Sequence, residues 1–165
     1  MHPALRWVEM DFDSTGRVLA ALEREGVRYV VVGAAAINLL GLPRATQDLD
    51  IFIAPEAGNV ERLKAALRSV FDDPSIDEIK AEELLGEYPA VEYVPPQGTF
   101  HIDILTRLGE AFRFEDLESE RVKFQGIMTS VATPRTLYRM KKGTVRLKDQ
   151  ADAALLKERF KIEDS

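Results

Sequence analysis

The spacing of apolar positions changes along the chain and separates helices from strands. Val18, Leu19 and Leu22 recur at helical intervals behind a capping Asp13 or Ser14, which predicts a helix ending near Glu25, with Gly26 beyond it. Tyr29 to Val32 is an unbroken apolar run and predicts a short buried strand. Gly33 ends it, and Ala34 to Leu40 suits one or two helical turns. After a loop containing Gly41, Pro43 and Arg44, the segment Asp48 to Ile53 alternates. It predicts a strand with Leu49, Ile51 and Ile53 facing a core and Asp48 and Asp50 sharing the other face. Val60, Leu63, Leu67 and Val70 return to helical spacing after Pro55 and Glu56. Residues 76–85 suit a short acidic helix or a loop.

Ala90 to Val94 and Thr99 to Leu105 flank the turn signal Pro95-Pro96-Gln97-Gly98 and predict a hairpin. Phe112 to Glu120 reads as a loop or one helical turn. Arg121 to Phe124 and Ile127 to Ala132 predict a second hairpin around Gln125-Gly126. Pro134, with Thr133 as cap, opens a helix to about Lys142 that stops at Gly143, and a last helix spans about Leu147 to Phe160. This order predicts an α+β domain, with a mixed sheet and helices largely on one side. The 165 residues suffice for a single domain, 1–165, with a proper core.

Composition adds limits. The chain is 45% hydrophobic and 30% charged, an ordinary globular balance. It has no cysteine, which excludes disulfides and thiolate metal sites and fits a reducing cytoplasm. The start, MHPALRWVEMDFD, lacks the basic region and apolar run of a secretory leader, and no apolar stretch is long enough to span a membrane. The net charge of −6 does not favour nucleic acid in bulk, but its distribution is uneven. Asp72 to Glu92 is acidic, opposed only by Lys80, whereas Arg121 to Lys148 contains no acidic residue. That basic block is either a solvated face or the seat of a polyanion.

Asp48, Asp50 and Asp103 are the candidate catalytic and metal-binding residues. Asp is depleted in strand interiors, yet Asp103 stands in the middle of His101-Ile102-Asp103-Ile104-Leu105. If its strand lies beside that of Asp48, three carboxylates meet on one face. Carboxylates so close repel one another and are relieved by a divalent cation or a shared proton. One Asp on one strand needs only a solvent-facing role; three at such positions, behind a glycine turn, call for more. His101 reads as a sheet-face residue near the site and not as a ligand.

The stretch Gly33-Ala34, then Gly41-Leu42-Pro43-Arg44-Ala45-Thr46, then Asp48-Leu49-Asp50 resembles the nucleotidyltransferase superfamily that includes DNA polymerase beta. Within it the chain is most similar to the minimal, AbiEii-type branch associated with toxin–antitoxin systems. Ala34 stands where that branch carries Gly or Ser, so a serine hydroxyl is absent, although the backbone N–H groups of Gly33 and Ala34 remain. Farther on, Arg146, Lys148, Asp149 and Asp152 resemble the branch's closing pattern, which follows a helix carrying Lys141.

The resemblance implies Mg²⁺-dependent transfer of a nucleoside monophosphate from a nucleoside triphosphate, ATP included, to a hydroxyl on RNA, a protein or a small molecule. It implies two Mg²⁺ ions held by Asp48, Asp50 and Asp103, with Asp103 helping to deprotonate the attacking hydroxyl. It also implies an antitoxin partner. Gly33, Ala34, Arg44, Thr46, Lys141 and Lys148 are the expected nucleotide-binding residues. Arg44 is either a phosphate contact or an ion-pair partner of Asp48 or Asp50. Asp152 either touches substrate or pairs with Lys148 one helical turn away, and Asp149 either touches substrate or favours the helix N-terminus. Two other readings stand beside this one: a protein on the same fold that binds nucleotide or a partner without turnover, and an antibiotic-type enzyme whose acidic stretch attracts a cationic acceptor.

Overall fold

The computed structural model describes residues 12–42, 44, 46, 48–142 and 147–163. The helix α1 (Phe12–Arg24) leads into β1 (Tyr29–Val32), α2 (Gly33–Leu39), β2 (Asp48–Ile53) and α3 (Ala57–Val70). A 3-10 turn (Pro74–Glu78) and the short α4 (Ala81–Leu84) precede the hairpin of β3 (Ala90–Tyr93) and β4 (His101–Leu105). The segment read as a loop or helical turn holds a 3-10 turn (Phe114–Asp116). Just before it lies a small ladder of β5 (Arg107–Leu108) and β6 (Phe112–Arg113). There follow β7 (Ser119–Phe124), β8 (Ile127–Ala132), α5 (Pro134–Lys142) and α6 (Leu147–Phe160). Pro43, Gly143 and Arg146, which figured in the predicted loop, helix stop and closing pattern, lie outside the described residues.

Six strands form one mixed sheet in the order β3-β4-β2-β1-β8-β7. β2 runs antiparallel to β1 and parallel to β4, and β1 meets β8 in parallel. The mixed directions follow from the connections. The loop of residues 94–100 joins β3 to β4 and the Gln125-Gly126 turn joins β7 to β8, whereas parallel neighbours require long crossovers. The β7–β8 turn places both Gln125 and Gly126 at positive φ, which glycine tolerates best and which matches the twist of a two-residue hairpin. The Gln125 side chain donates to the Phe12 carbonyl and ties that turn to the start of α1.

Leu49, Ile51, Ile53, Ile102 and Ile104 are fully buried, as their alternation requires. Each such side chain contributes roughly 1.5–3 kcal/mol of burial free energy. The α1 stripe of Val18, Leu19 and Leu22 and the α3 stripe of Val60, Leu63 and Leu67 are equally dry, and the two helices pack on each other. Asn59 is buried at the start of α3. It donates to the Arg28 and Ala54 carbonyls and accepts from the Arg28 N–H, which fixes the helix to the segment entering β1. With this face committed to the core, the face of β2 and β4 that bears carboxylates is left to line a cleft.

Candidate active site

The strand register brings the carboxylates together in rows. Asp50 stands opposite Val32 on one side and Asp103 on the other, and Asp103 stands opposite Glu92. One pleat away, Asp48 is opposite His101; on the other side Phe52, Leu105 and Ala90 form an apolar row. Gly33 follows β1 directly, at a φ of +68°. A Cβ there would collide with the Asp50 carboxylate, so glycine is required both by the backbone and by the close approach of the acid.

Burial pushes the Asp50 carboxyl up to about 8, helped by its hydrogen bond to Asp103 and by the charges of Asp103 and Asp48; Lys141 opposes the shift. Two carboxyl groups in contact in a poorly hydrated place share a proton because both cannot ionise cheaply. Asp48 also meets His101, whose Nδ1 lies 3.5 Å from its Oδ1. Among the described residues no three His, Cys, Asp or Glu side chains converge as a ready metal cage. The chemistry of the donor set nevertheless fits a hard cation. Asp48, Asp50 and Asp103 offer oxygen ligands only, they line an open cleft with room for water and phosphate, and a cation would replace the proton Asp50 retains.

The loop before β2 is held by short polar contacts. The Arg44 N–H donates to Asn38 Oδ1 at 2.9 Å, and the Asn38 amide donates back to the Arg44 carbonyl, so α2 carries the loop. The Asp48 N–H donates to Thr46 Oγ1 at 3.1 Å, which sets the start of β2. Across the cleft, Lys141 Nζ on α5 donates to Asp149 Oδ1 at 3.1 Å and to Asp152 Oδ2 at 3.0 Å, and Arg44 Nε donates to Asp152 Oδ1 at 3.0 Å. This is a change from both expected pairings. Asp152 binds Arg44 and Lys141 in place of Lys148, and Arg44 pairs with Asp152 in place of Asp48 or Asp50. The reason is tertiary: α5 and α6 pack together, and the loop folds onto them, so groups far apart in sequence become nearest neighbours.

Gly33, Ala34, Arg44, Thr46, Asp48, Asp50, Asp103, Lys141 and Lys148 all line one cleft of about 690 Å³. Its apolar lining includes Leu105, Leu108, Leu137 and Met140. Glu92 also borders it, although it was not singled out from the sequence, and so does Asp149, one of the two residues weighed as either a substrate contact or a structural acid. The alternation of Ala90 to Val94 is the signal for Glu92, since a β3–β4 hairpin puts it on the carboxylate face.

The family model described as "Nucleotidyl transferase AbiEii toxin, Type IV TA system" matches residues 17–152. The chain belongs to the AbiEii nucleotidyltransferase family. Among curated proteins nothing matches. Solved structures show the same fold at low identity. The lincosamide antibiotic adenylyltransferase LnuA, lincomycin-bound, is 13% identical, with a TM-score of 0.58 over 90% of this chain and 98% of that one. The antibiotic-resistance factor ANT(2'')-Ia is 13% identical, with a TM-score of 0.57 over 90% and 83%. An antigenic nucleotidyltransferase-like protein from Paracoccidioides brasiliensis is 17% identical, with a TM-score of 0.56 over 92% and 78%. This AbiEii-family chain is thus a nucleotidyltransferase by family and by fold. No helix among the described residues is long and apolar enough to cross a membrane.

Proposed function

We propose that this AbiEii-family protein transfers a nucleoside monophosphate from a nucleoside triphosphate to an acceptor hydroxyl with the help of Mg²⁺. The observation that carries the reading is the register of Asp50 with Asp103 beside Asp48, in a cleft whose other wall holds Arg44, Lys141 and Lys148. Asp48 and Asp50 would hold two Mg²⁺ ions, and Asp103 would share one of them. When bound, the ions supply a lowered pKa for the attacking hydroxyl and neutralisation of the leaving phosphates.

The chain's own groups do the rest. Asp103 accepts the proton of the acceptor hydroxyl. Lys141, Lys148 and Arg44 bind the β- and γ-phosphates, and the N–H groups of Gly33 and Ala34 offer further donors. Thr46 fixes the backbone that presents Asp48. Leu137 and Met140 give the base and sugar an apolar surface. The family's description as a toxin of a Type IV TA system supports a role as a toxin paired with an antitoxin, and the lack of cysteine fits a reducing cytoplasm.

The test is pyrophosphate release with each of the four nucleoside triphosphates. Release is expected to require Mg²⁺ and to be abolished in Asp50→Asn and Asp103→Asn, both of which are expected to stay folded. A second reading, nucleotide binding without turnover, is favoured by Ala34, which lacks a serine hydroxyl, and by the contact of Asp48 with His101. Nucleotide binding without pyrophosphate release under any acceptor condition would establish that reading instead.

A further inference from the structure

Asn38 commits both ends of its side-chain amide to one residue. Its Oδ1 accepts from the Arg44 N–H at 2.9 Å, and its Nδ2 donates to the Arg44 carbonyl. Two such bonds to a single residue fix both the place and the orientation of its backbone, as a neighbouring strand would. The Asn38 carbonyl accepts from the Gly41 N–H at 3.0 Å, where the chain turns back. Leu42 is buried just beyond, so the loop is anchored in the core before it returns to Asn38. Asn38 itself rides on α2, whose Ala34, Ala35, Ala36 and Ile37 are buried. Gly33, the first residue of that helix, lies against the Asp50 carboxylate. Asn38 stands five positions farther along, about 7.5 Å on the helix axis. One short, core-packed helix therefore spaces the cleft's arginine from its carboxylates.

We infer that Asn38 is a positioning residue: acting through the Arg44 backbone, it sets the reach of the Arg44 guanidinium toward the β- and γ-phosphates. The assignment rests on the transfer reading above and adds to it a residue that touches no substrate. The Arg44 side chain is 18% exposed, with Nε 3.0 Å from Asp152 Oδ1. That ion pair holds the far end of the side chain. Alone, it leaves the long stem several rotamers, and the loop several backbone positions, from which to reach Asp152. The amide pair removes this freedom before a triphosphate arrives, so less ordering is left to the binding step. Only an amide offers a donor and an acceptor side by side. Aspartate has the same shape but no donor, and leucine has nearly the same shape and neither group.

Asn38→Leu keeps nearly the same bulk and adds no charge, so it removes the two hydrogen bonds and little else; Asn38→Ala is made beside it. Binding is measured by calorimetry on the full chain with Mg²⁺. The probes are the α,β-methylene analogues of the four nucleoside triphosphates and the four monophosphates. Both variants are expected to weaken the tightest analogue about tenfold and its monophosphate by no more than about twofold, because Arg44 acts beyond the α-phosphate. In an Arg44→Ala background, Asn38→Leu is expected to cause no further loss, since its whole effect passes through that side chain. Arg44→Gln, which can still donate to Asp152, takes the place of Arg44→Ala if the alanine variant does not fold. Unchanged analogue affinity, an equal loss for both ligands, or the same loss with and without Arg44 would each overturn the assignment and leave Asn38 a clasp of the loop. Unfolding of both Asn38 variants would overturn it in the same way. The failures separate. A wild type that binds none of the analogues sinks the transfer reading as well, whereas analogue binding indifferent to Asn38 sinks only the role of Asn38.

Discussion

Asp50 is confined from three sides: by burial, by Asp103 across the β2–β4 ladder, and by Gly33, where an added Cβ would collide with its carboxylate. The consequence for stability has a definite sign. A carboxyl raised from 3.8 to about 8 binds more protons folded than unfolded throughout that interval. Stability therefore falls as pH rises from about 4 to about 8 and levels off above, with a total on the order of a few kcal/mol. Thermal melts in EDTA at pH 5 and pH 9 should show this decline in the wild type. Asp50→Asn should largely remove it and be the more stable of the two at pH 9. Added Mg²⁺ should restore the wild type most at the alkaline end, where no proton competes. An Asp50→Asn variant less stable than wild type at pH 9 would mean that the carboxylate is instead held by a cationic partner such as Lys141.

The joint between α5, α6 and the loop before β2 is built on charge. Lys141 and Asp152 are only 12% and 6% exposed in their side chains, with Asp149 and Arg44 close behind. Two cations and two anions balance there, so removing one member leaves a buried charge uncompensated. Asp152→Asn is expected to cost about 3 kcal/mol in urea unfolding, far more than a surface pair would. It should also loosen Lys141 and Arg44 in the cleft and weaken triphosphate binding. A loss within about 0.5 kcal/mol would show that water screens the cluster. The same balance makes Asp149 and Asp152 positioning residues by geometry, since their carboxylates hold the cations that border the site.

Over the whole molecule, a net charge of −6 coexists with a cleft whose α5–α6 wall is basic and whose β3 edge is acidic. Lys148 is exposed on that basic wall, outside the Lys141 cluster. In the proposed reaction its charge would face the β- and γ-phosphates. Lys148→Ala should weaken binding of a nucleoside triphosphate severalfold more than binding of the monophosphate. It should also lower turnover, because charge grows on the leaving pyrophosphate in the transition state. Parallel titrations with both nucleotides check it, and equal losses, or none, would leave Lys148 a surface residue. The β3 edge also has a structural reading. A short strand bracketed by Pro89 and Pro95 and carrying Glu92 resists pairing with another chain, so the acid guards the edge as well as facing the cleft.

Local physics determined most of the elements from sequence alone. The alternation of Asp48 to Ile53 and of His101 to Leu105 dictated which side chains enter the core. Gly26, the Gln125-Gly126 pair and Pro134 marked boundaries because backbone geometry restricts what can stand there. The candidate residues were legible for the same reason: Asp at strand positions contradicts strand propensity, and the contradiction stands out. The small β5–β6 ladder was missed because two-residue strands leave no periodic trace. Tertiary structure alone decided who faces whom. Sheet order set Asp103 beside Asp50 and Glu92 beside Asp103. The packing of α5 on α6 gave Asp152 to Arg44 and Lys141, partners 108 and 11 residues away. A sequence states the period of a side chain around its own element, but charges and hydrogen bonds act through space. Pairings between distant elements exist only once the chain has closed on itself.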